Sequence, residues 1–300
     1  VWRARPWERL TCHLLCPWAS SMVTVSTMAR SSSSRDISFD TDFGPARIRW
    51  DGPRATLFLG DVESSAVDTS DPTYLEFEYM QHMDAVVSSL WGPQDRFRAL
   101  HVGGAACALA CAWSSSHPNS RHVAVEVDRL LAEQVREHFP IPGAPQVKIR
   151  VGDGRAVLDG AREGSFDVIV RDAFASGVTP DHLRTVECAD RARRALTASG
   201  VYLVNCAHGG VANARQDVAA LQEVFPFVAS IQDPKVGRGG RRGNVVALAS
   251  AADVVDVDQI DRALRTLALP ARITRPADLT RWVAGTRALT DAQVGYPQAD

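Results

Sequence analysis

No apolar run in this chain of 300 residues reaches the roughly 18 residues that a membrane-crossing helix needs. Neither sign of charge dominates, because 33 Lys and Arg face 35 Asp and Glu for a net charge of −2. That balance carries no electrostatic footprint for nucleic acid. The six cysteines, at 12, 16, 107, 111, 188 and 206, show no paired spacing. The pattern argues against a disulfide scaffold and against clustered metal ligands. It fits reduced thiols used as small hydrophobes in a cytoplasmic protein. No internal repeat is visible. What remains is an ordinary globular composition, 45% apolar and 23% charged. The length suits one large domain, or one domain with a small appendage.

Residues 1–36 differ from the rest. They hold three of the seven tryptophans, Cys12, Cys16 and the serine run from Ser31 to Ser34. Arg3, Arg5 and Arg9 precede an apolar stretch, but Cys12-His13 and Pro17 interrupt it too early for a secretion signal. The segment reads as an upstream extension, with Met22 or Met28 as the working start, and is expected to be disordered.

From residue 37 to 67 short alternating runs surround the turn Asp51-Gly52-Pro53, which predicts a small antiparallel β unit. Asp71-Pro72 reads as a helix start. Its apolar face would be Leu75, Tyr79, Met83, Val86, Val87 and Leu90, ended by Trp91-Gly92-Pro93. Beyond Arg96 the pattern becomes β-α-β. Strands are expected near 97–102, 121–126, 147–151, 166–171 and 200–205, and helices near 106–116, 128–138, 182–196 and 211–224. Two late apolar runs, 227–231 and 245–249, flank a short glycine-rich segment and should pair as an antiparallel hairpin. Strands alternating with helices predict a parallel, doubly wound sheet.

Four successive strand ends close on glycine or a carboxylate: Val102-Gly103-Gly104, Glu126-Val127-Asp128, Gly152-Asp153-Gly154 and Arg171-Asp172. In an open parallel sheet, ligands bind outside the carboxyl ends of the strands. Glycine lets the backbone approach a nucleoside, and a carboxylate about 20 residues further on can accept both ribose hydroxyls. Glu126 follows Gly103 by about that distance.

From about residue 50 to 250 the chain resembles the spermidine synthase family, the polyamine aminopropyltransferases, and most of all its divergent actinobacterial members. Glu76-Phe77-Glu78-Tyr79, the Gly103-Gly104 loop, Glu126-Val127-Asp128, Gly152-Asp153-Gly154, Phe166 to Asp172 and Arg242-Gly243-Asn244 carry the likeness. It implies an α/β, class I S-adenosylmethionine-dependent transferase fold, Rossmann-like, with a small N-terminal β unit. The organisation expected is a leader over 1–36, the β unit plus a helix over 37–92, and a nucleoside-binding catalytic domain over 93–300. The co-substrate implied is S-adenosylmethionine or its decarboxylated form, with no metal. Gly103, Gly104, Glu126, Asp153 and Gly154 would hold it. Glu126 would take the ribose hydroxyls and Asp153 the adenine amino group, with Gly154 allowing close approach. Asp172 would be general base or amine anchor. Tyr79 would touch the substrate, although an aromatic on a helix face also has a packing reading.

The chain departs from the family pattern at two carboxylates. The family's first loop resembles Gly-Gly-Gly-Asp-Gly, where this chain has Gly103-Gly104-Ala105-Ala106-Cys107, so the loop aspartate falls on Ala106. The aspartate three residues after the catalytic one falls on Ala175. An ammonium left without a partner in a pocket costs several kcal/mol, so poor transfer to putrescine is expected. Aminopropyl transfer to an amine is the family default. Methyl transfer, or nucleoside binding without catalysis, are the alternatives. The expected partner is a small-molecule substrate of amine class, with no nucleic acid and no membrane; a homodimer is left open.

Overall fold

The computed structural model describes residues 35–175, 177–236, 241–252 and 254–297. The leader expected over 1–36 lies almost wholly outside them.

The first element, β1 (Arg35–Thr41), begins two residues before the β unit was expected to start. It is followed by β2 (Gly44–Asp51), β3 (Arg54–Leu59) and β4 (Val62–Asp68), and the four form an antiparallel meander in sequence order. Alternation explains the sheet. Ile48, Ala55 and Leu57 point inward and are wholly buried, while Arg47 and Arg49 flank Ile48 on the outer face and lie over the Phe58 ring. The inner face packs on Leu131 and Val135 of α3 (Arg129–His138) and on Phe139 just after it. The β1–β2 turn also caps that helix, because Asp42 accepts from the Arg129 and Leu130 amides.

The helix expected from Asp71 starts later, as α1 (Glu78–Leu90). Asp71 turns its side chain onto its own segment and accepts from the Thr73 amide and hydroxyl, while its carbonyl takes the Tyr74 amide. Such a local bond competes with helix propagation. The anticipated apolar face is buried nonetheless. Met83, Val86 and Val87 are inaccessible to solvent, and Leu75 packs with them from the preceding turn.

The main sheet has eight strands in the order β12-β10-β11-β9-β8-β5-β6-β7. They are β5 (Arg98–Val102), β6 (Arg121–Glu126), β7 (Val147–Val151), β8 (Phe166–Arg171), β9 (Leu196–His208), β10 (Phe227–Gln232), β11 (Gly243–Ser250) and β12 (Arg272–Thr274). The strands from β7 to β9 are parallel. β11 runs antiparallel to β9, and β10 antiparallel to β11, so the expected closing hairpin is present. The short β12 on the outer edge of β10 was not foreseen. This is the class I transferase architecture with its N-terminal β unit. The helix expected over 182–196 divides into a 3-10 turn (Asp181–Leu183) and α5 (Val186–Ala195), because Thr185 caps α5 by accepting from the Cys188 amide.

Helices cover both faces. Helix α1, α2 (Ala108–Ser116) and α7 (Val257–Arg265) pack on one side. On the other lie α4 (Gly154–Asp159), α5, α6 (Ala214–Val224) and α8 (Pro276–Val283). Strand order reverses between β5 and β8, which opens the crevice of a doubly wound sheet at their carboxyl ends. Among the described residues, no helix is long and apolar enough to cross a membrane.

Among the buried histidines are His82 on α1, His101 on β5 and His122 on β6. His101 Nε2 lies 3.1 Å from His122 Nδ1, whose Nε2 reaches Ser120 Oγ at 2.7 Å. Burial lowers their pKa values to about 4, about 3 and about 2 respectively. The unfolded chain protonates these side chains near pH 6.5, but the folded chain does so only far lower. Stability is therefore full above pH 6.5 and falls as pH drops below it, by roughly 2 kcal/mol per histidine at pH 5. Urea unfolding at pH 7.5 and at pH 5 should show this loss. Equal stability at the two values would mean that the three rings take up protons without unfolding.

Candidate active site

The parallel register brings four strand ends to one edge. Val102 pairs with Val125 and with Arg171, and Glu126 with Val151. Gly103, Glu126, Asp153 and Asp172 therefore emerge side by side. Gly103 has φ +95°, and a Cβ there would lie 2.2 Å from the Asp172 carbonyl oxygen and 2.9 Å from the Ala173 Cα. Only glycine lets the loop after β5 pass so close to the exit of β8.

Glu126 organises the same loop. Its Oε2 accepts from the Gly104 and Ala105 amides at 3.3 and 2.9 Å, and its Oε1 from the Asp128 amide at 3.1 Å. Beyond Gly104 the loop continues through left-handed turns that hold no further glycine. Ala105 and Cys107 stand at φ +38° and +57°, in the left-handed region that disfavours side chains. Ala106, where the family places an aspartate, is wholly buried among Ile48, Leu57, Leu131 and Val135. Cys107 is also buried, and Cys111 is half-buried with its thiol pushed up to about 12. Both are packing residues.

Asp153 caps α4 by accepting from the Ala156 amide at 2.9 Å. Its other oxygen lies 2.9 Å from His182 Nε2, in the 3-10 turn. That contact holds the Asp153 carboxyl below the usual carboxylate range. Gly154 has a packing cause of its own, because a Cβ there would stand 2.3 Å from Val102 Cγ1. His182 was not singled out in the sequence, where a histidine beyond a loop proline carries no periodic signal.

Asp172 is half-buried, with a donor on each oxygen. Tyr79 Oη donates to Oδ2 at 2.9 Å, and Asn205 Nδ2 donates to Oδ1 at 2.9 Å. Burial raises the Asp172 pKa, and these two bonds oppose the rise. Burial and the Asp172 carboxylate push the Tyr79 phenol well above its ordinary value, so it stays a donor. Phe77 stacks on Tyr79, with ring centres 5.9 Å apart and planes 11° apart. Asn205 was also missed, although an asparagine inside the apolar run from Val201 to Cys206 is a signal, since buried amides seek partners. Its Oδ1 is buried and has no hydrogen-bond partner among the described residues. Arg171, one residue before Asp172, points to the opposite face and pairs with Asp217 of α6 at 2.7 Å.

The structure thus brings together Gly103, Gly104, Glu126, Asp153, Gly154, Asp172 and Tyr79. Ala175, where the family's second amine-directed aspartate would fall, lies exposed in a small turn closed on Val178. Among the described residues, no group of three or more His, Cys, Asp or Glu side chains is placed to hold a metal ion.

The strain in the loop is testable. Ala105→Gly should stabilise the fold by about 0.5 kcal/mol, the left-handed penalty less the greater freedom of unfolded glycine. Gly103→Ala should destabilise it by about 2 kcal/mol or more, because main-chain atoms must move. Thermal unfolding reads both. A destabilised Ala105→Gly would show that the alanine side chain contributes packing that outweighs the strain.

No family model matches the sequence. A curated polyamine aminopropyltransferase from Vibrio vulnificus (strain CMCP6) is 26% identical over 110 residues, which cover 36% of this chain and 37% of that protein. The match thus spans little more than a third of that relative. The crystal structure of spermidine synthase from Thermotoga maritima superposes with a TM-score of 0.54 at 17% identity, over 87% of each chain. That of a probable spermidine synthase from Corynebacterium glutamicum ATCC 13032 superposes with a TM-score of 0.78 at 32% identity, over 85% of this chain and 96% of that one. With identity at that level sustained over nearly the whole of a solved relative, this chain belongs to the spermidine synthase family.

Proposed function

We propose that the protein is a transferase that binds an adenosyl sulfonium and passes one of its alkyl groups to an amine. The observation that carries the reading is Asp172, held between Tyr79 and Asn205 at the same sheet edge as Glu126 and Asp153. The residues present fit such a co-substrate. Glu126 and Asp153 are acceptors for a ribose diol and an exocyclic amine, and each keeps lone pairs beyond its present bonds. The Asn205 Oδ1 beside Asp172, buried and unpartnered among the described residues, marks a polar group that a ligand N–H would satisfy. When bound, the sulfonium supplies an electrophilic carbon and a neutral thioether leaving group.

The chain's own residues do the remainder. Asp172 accepts the proton that the attacking amine must lose, and its raised pKa makes it a stronger base than an ordinary carboxylate. Tyr79 and Asn205 fix the direction of its oxygens. The Glu126 carboxylate ties the loop after β5, at Gly104 and Ala105, to the turn after β6, at Asp128.

The loop favours a second reading of the transferred group. Ala106 offers no counter-charge to a donor ammonium, and equally none that would repel the carboxylate of intact S-adenosylmethionine. Methyl transfer therefore stands beside aminopropyl transfer. Calorimetry with S-adenosylmethionine, its decarboxylated form and methylthioadenosine decides between them.

Glu126→Gln should weaken binding of methylthioadenosine by about 1.5–3 kcal/mol, the scale of hydrogen bonds to a charged group. Unchanged affinity in a folded variant removes Glu126 from the site. For Asp172, activity should be lost as pH falls through a pKa above the ordinary carboxylate value, since only the ionised form accepts a proton. Tyr79→Phe removes a bond that stabilises that form and should move the acidic limb to higher pH. An acidic limb that stays in place in Tyr79→Phe, or turnover that survives Asp172→Asn, would assign the base elsewhere.

A further inference from the structure

Asp153 sits in a neighbourhood more elaborate than a helix cap requires. The His182 ring that reaches its Oδ2 lies parallel to the ring of Tyr296, with centres 5.5 Å and planes 7° apart. Tyr296 follows the short helix α9 (Asp291–Val294), more than a hundred residues away in sequence. Its segment is anchored on both sides of the site. Leu289 pairs with Thr185, and its carbonyl takes the Val186 amide at 2.9 Å. The buried Asp291 carboxylate accepts from Arg155 at 2.9 Å and from the Thr185 hydroxyl at 2.7 Å. Arg155, next to Gly154, also lies 4.5 Å from the Tyr296 ring centre. The segment therefore holds α4, the 3-10 turn and the start of α5 in one arrangement. His182 is set against Asp153 by the Tyr296 ring on one side and by Arg155, which donates to the His182 carbonyl at 3.1 Å.

We propose that His182, held by Tyr296, is a specificity-determining residue that fixes Asp153 as a pure hydrogen-bond acceptor for the nucleobase. This rests on the reading of Asp153 as a nucleoside contact. The Ala156 amide and the imidazole N–H each take one lone pair, one on either oxygen. The lone pairs left free can only accept. A base with an exocyclic amino group meets them with a donor. A base with a carbonyl there meets them with a second acceptor, and two unpaired acceptors in contact are costly. Without His182 the half-exposed carboxylate is free to rotate and admit water, which presents an O–H donor to a carbonyl. Discrimination then falls even where affinity for the amino base survives. His182 is thus a positioning residue, acting through Asp153, and Tyr296 acts through His182.

The experiment compares 5′-methylthioadenosine with 5′-methylthioinosine by calorimetry on the full chain. The wild type should prefer the adenosine form by at least tenfold. His182→Phe keeps an aromatic ring against Tyr296 but removes the donor, and should cut that ratio severalfold. His182→Gln, which can still donate to Asp153, should restore part of it. Tyr296→Ala should reduce it by freeing the imidazole. A His182→Phe variant that binds both nucleosides more weakly at an unchanged ratio would overturn the proposal and leave His182 a structural role. Asp153→Asn separates the two layers. If it abolishes the preference while His182→Phe does not, the role of His182 alone is wrong. If Asp153→Asn leaves the preference intact, or the wild type binds neither nucleoside, the nucleoside reading of Asp153 fails and the proposal falls with it.

Discussion

The missing side chain at Gly103 sets the spacing of everything at the carboxyl edge. Its Cα faces the Asp172 carbonyl so closely that even a methyl group would overlap main-chain atoms. Two parallel strands therefore end in contact, and the loop after one runs under the acid that ends the other. Asp172 is then near enough to α1 for Tyr79 to reach it and near enough to β9 for Asn205. Moving those strand ends apart would leave a half-buried carboxylate without its donors. The constraint thus lies in the backbone, and the carboxylate chemistry follows from it.

Each acid of the edge is committed to the fold before any ligand is considered. Glu126 gathers amides of the loop, Asp153 caps α4, and Asp172 takes two side-chain donors. One shell further out, Asp217 and Asp291 pair with Arg171 and Arg155 in buried contacts. Arg171 adjoins Asp172 and Arg155 adjoins Gly154, so the two buried ion pairs stand directly behind two of the strand ends. Buried pairs of this kind contribute little net stability, but losing one partner strands a charge. Their effect is to fix α6 and the segment around Asp291 against the site.

The fold was legible wherever periodicity and turn chemistry agreed. The parallel strands, the closing hairpin and the antiparallel β unit all appear close to where the pattern placed them. The Asp71 turn was misread because Asp-Pro opens helices and also builds side-chain-capped turns, and the Thr73 contact that decides between them is local geometry. Likewise, Thr185 breaks the expected long helix by capping a new one. The candidate site was legible only at strand ends. Tyr79 and Asp172 are 93 residues apart, and His182 and Asp153 are 29 apart. Tyr296 reaches its place through Leu289 and Asp291, in a segment where no pattern in the sequence points back to α4.

The loop after β5 shows what the chain has kept and what it has given up. It retains the left-handed turns of a glycine-rich loop while placing Ala105 and Cys107 in them, and this strain is tolerated because Glu126 holds the amides and the apolar cluster holds Ala106. On the proposed reading this loop presents its backbone to a nucleoside, and at Ala106, where the family resemblance would put the charge that meets a donor ammonium, it has a methyl group in a dry environment. At the acceptor end, Ala175 faces solvent and the partners of Asp172 are neutral. On the proposed reading, one carboxylate then faces both the sulfonium side chain and the incoming amine. A single negative charge neutralises one cation at close range, and an acceptor bearing a second ammonium would find no partner for it among these residues. On that reading electrostatics favours an acceptor of lower charge than a diamine, because Asp172 is the one carboxylate the proposed amine side offers.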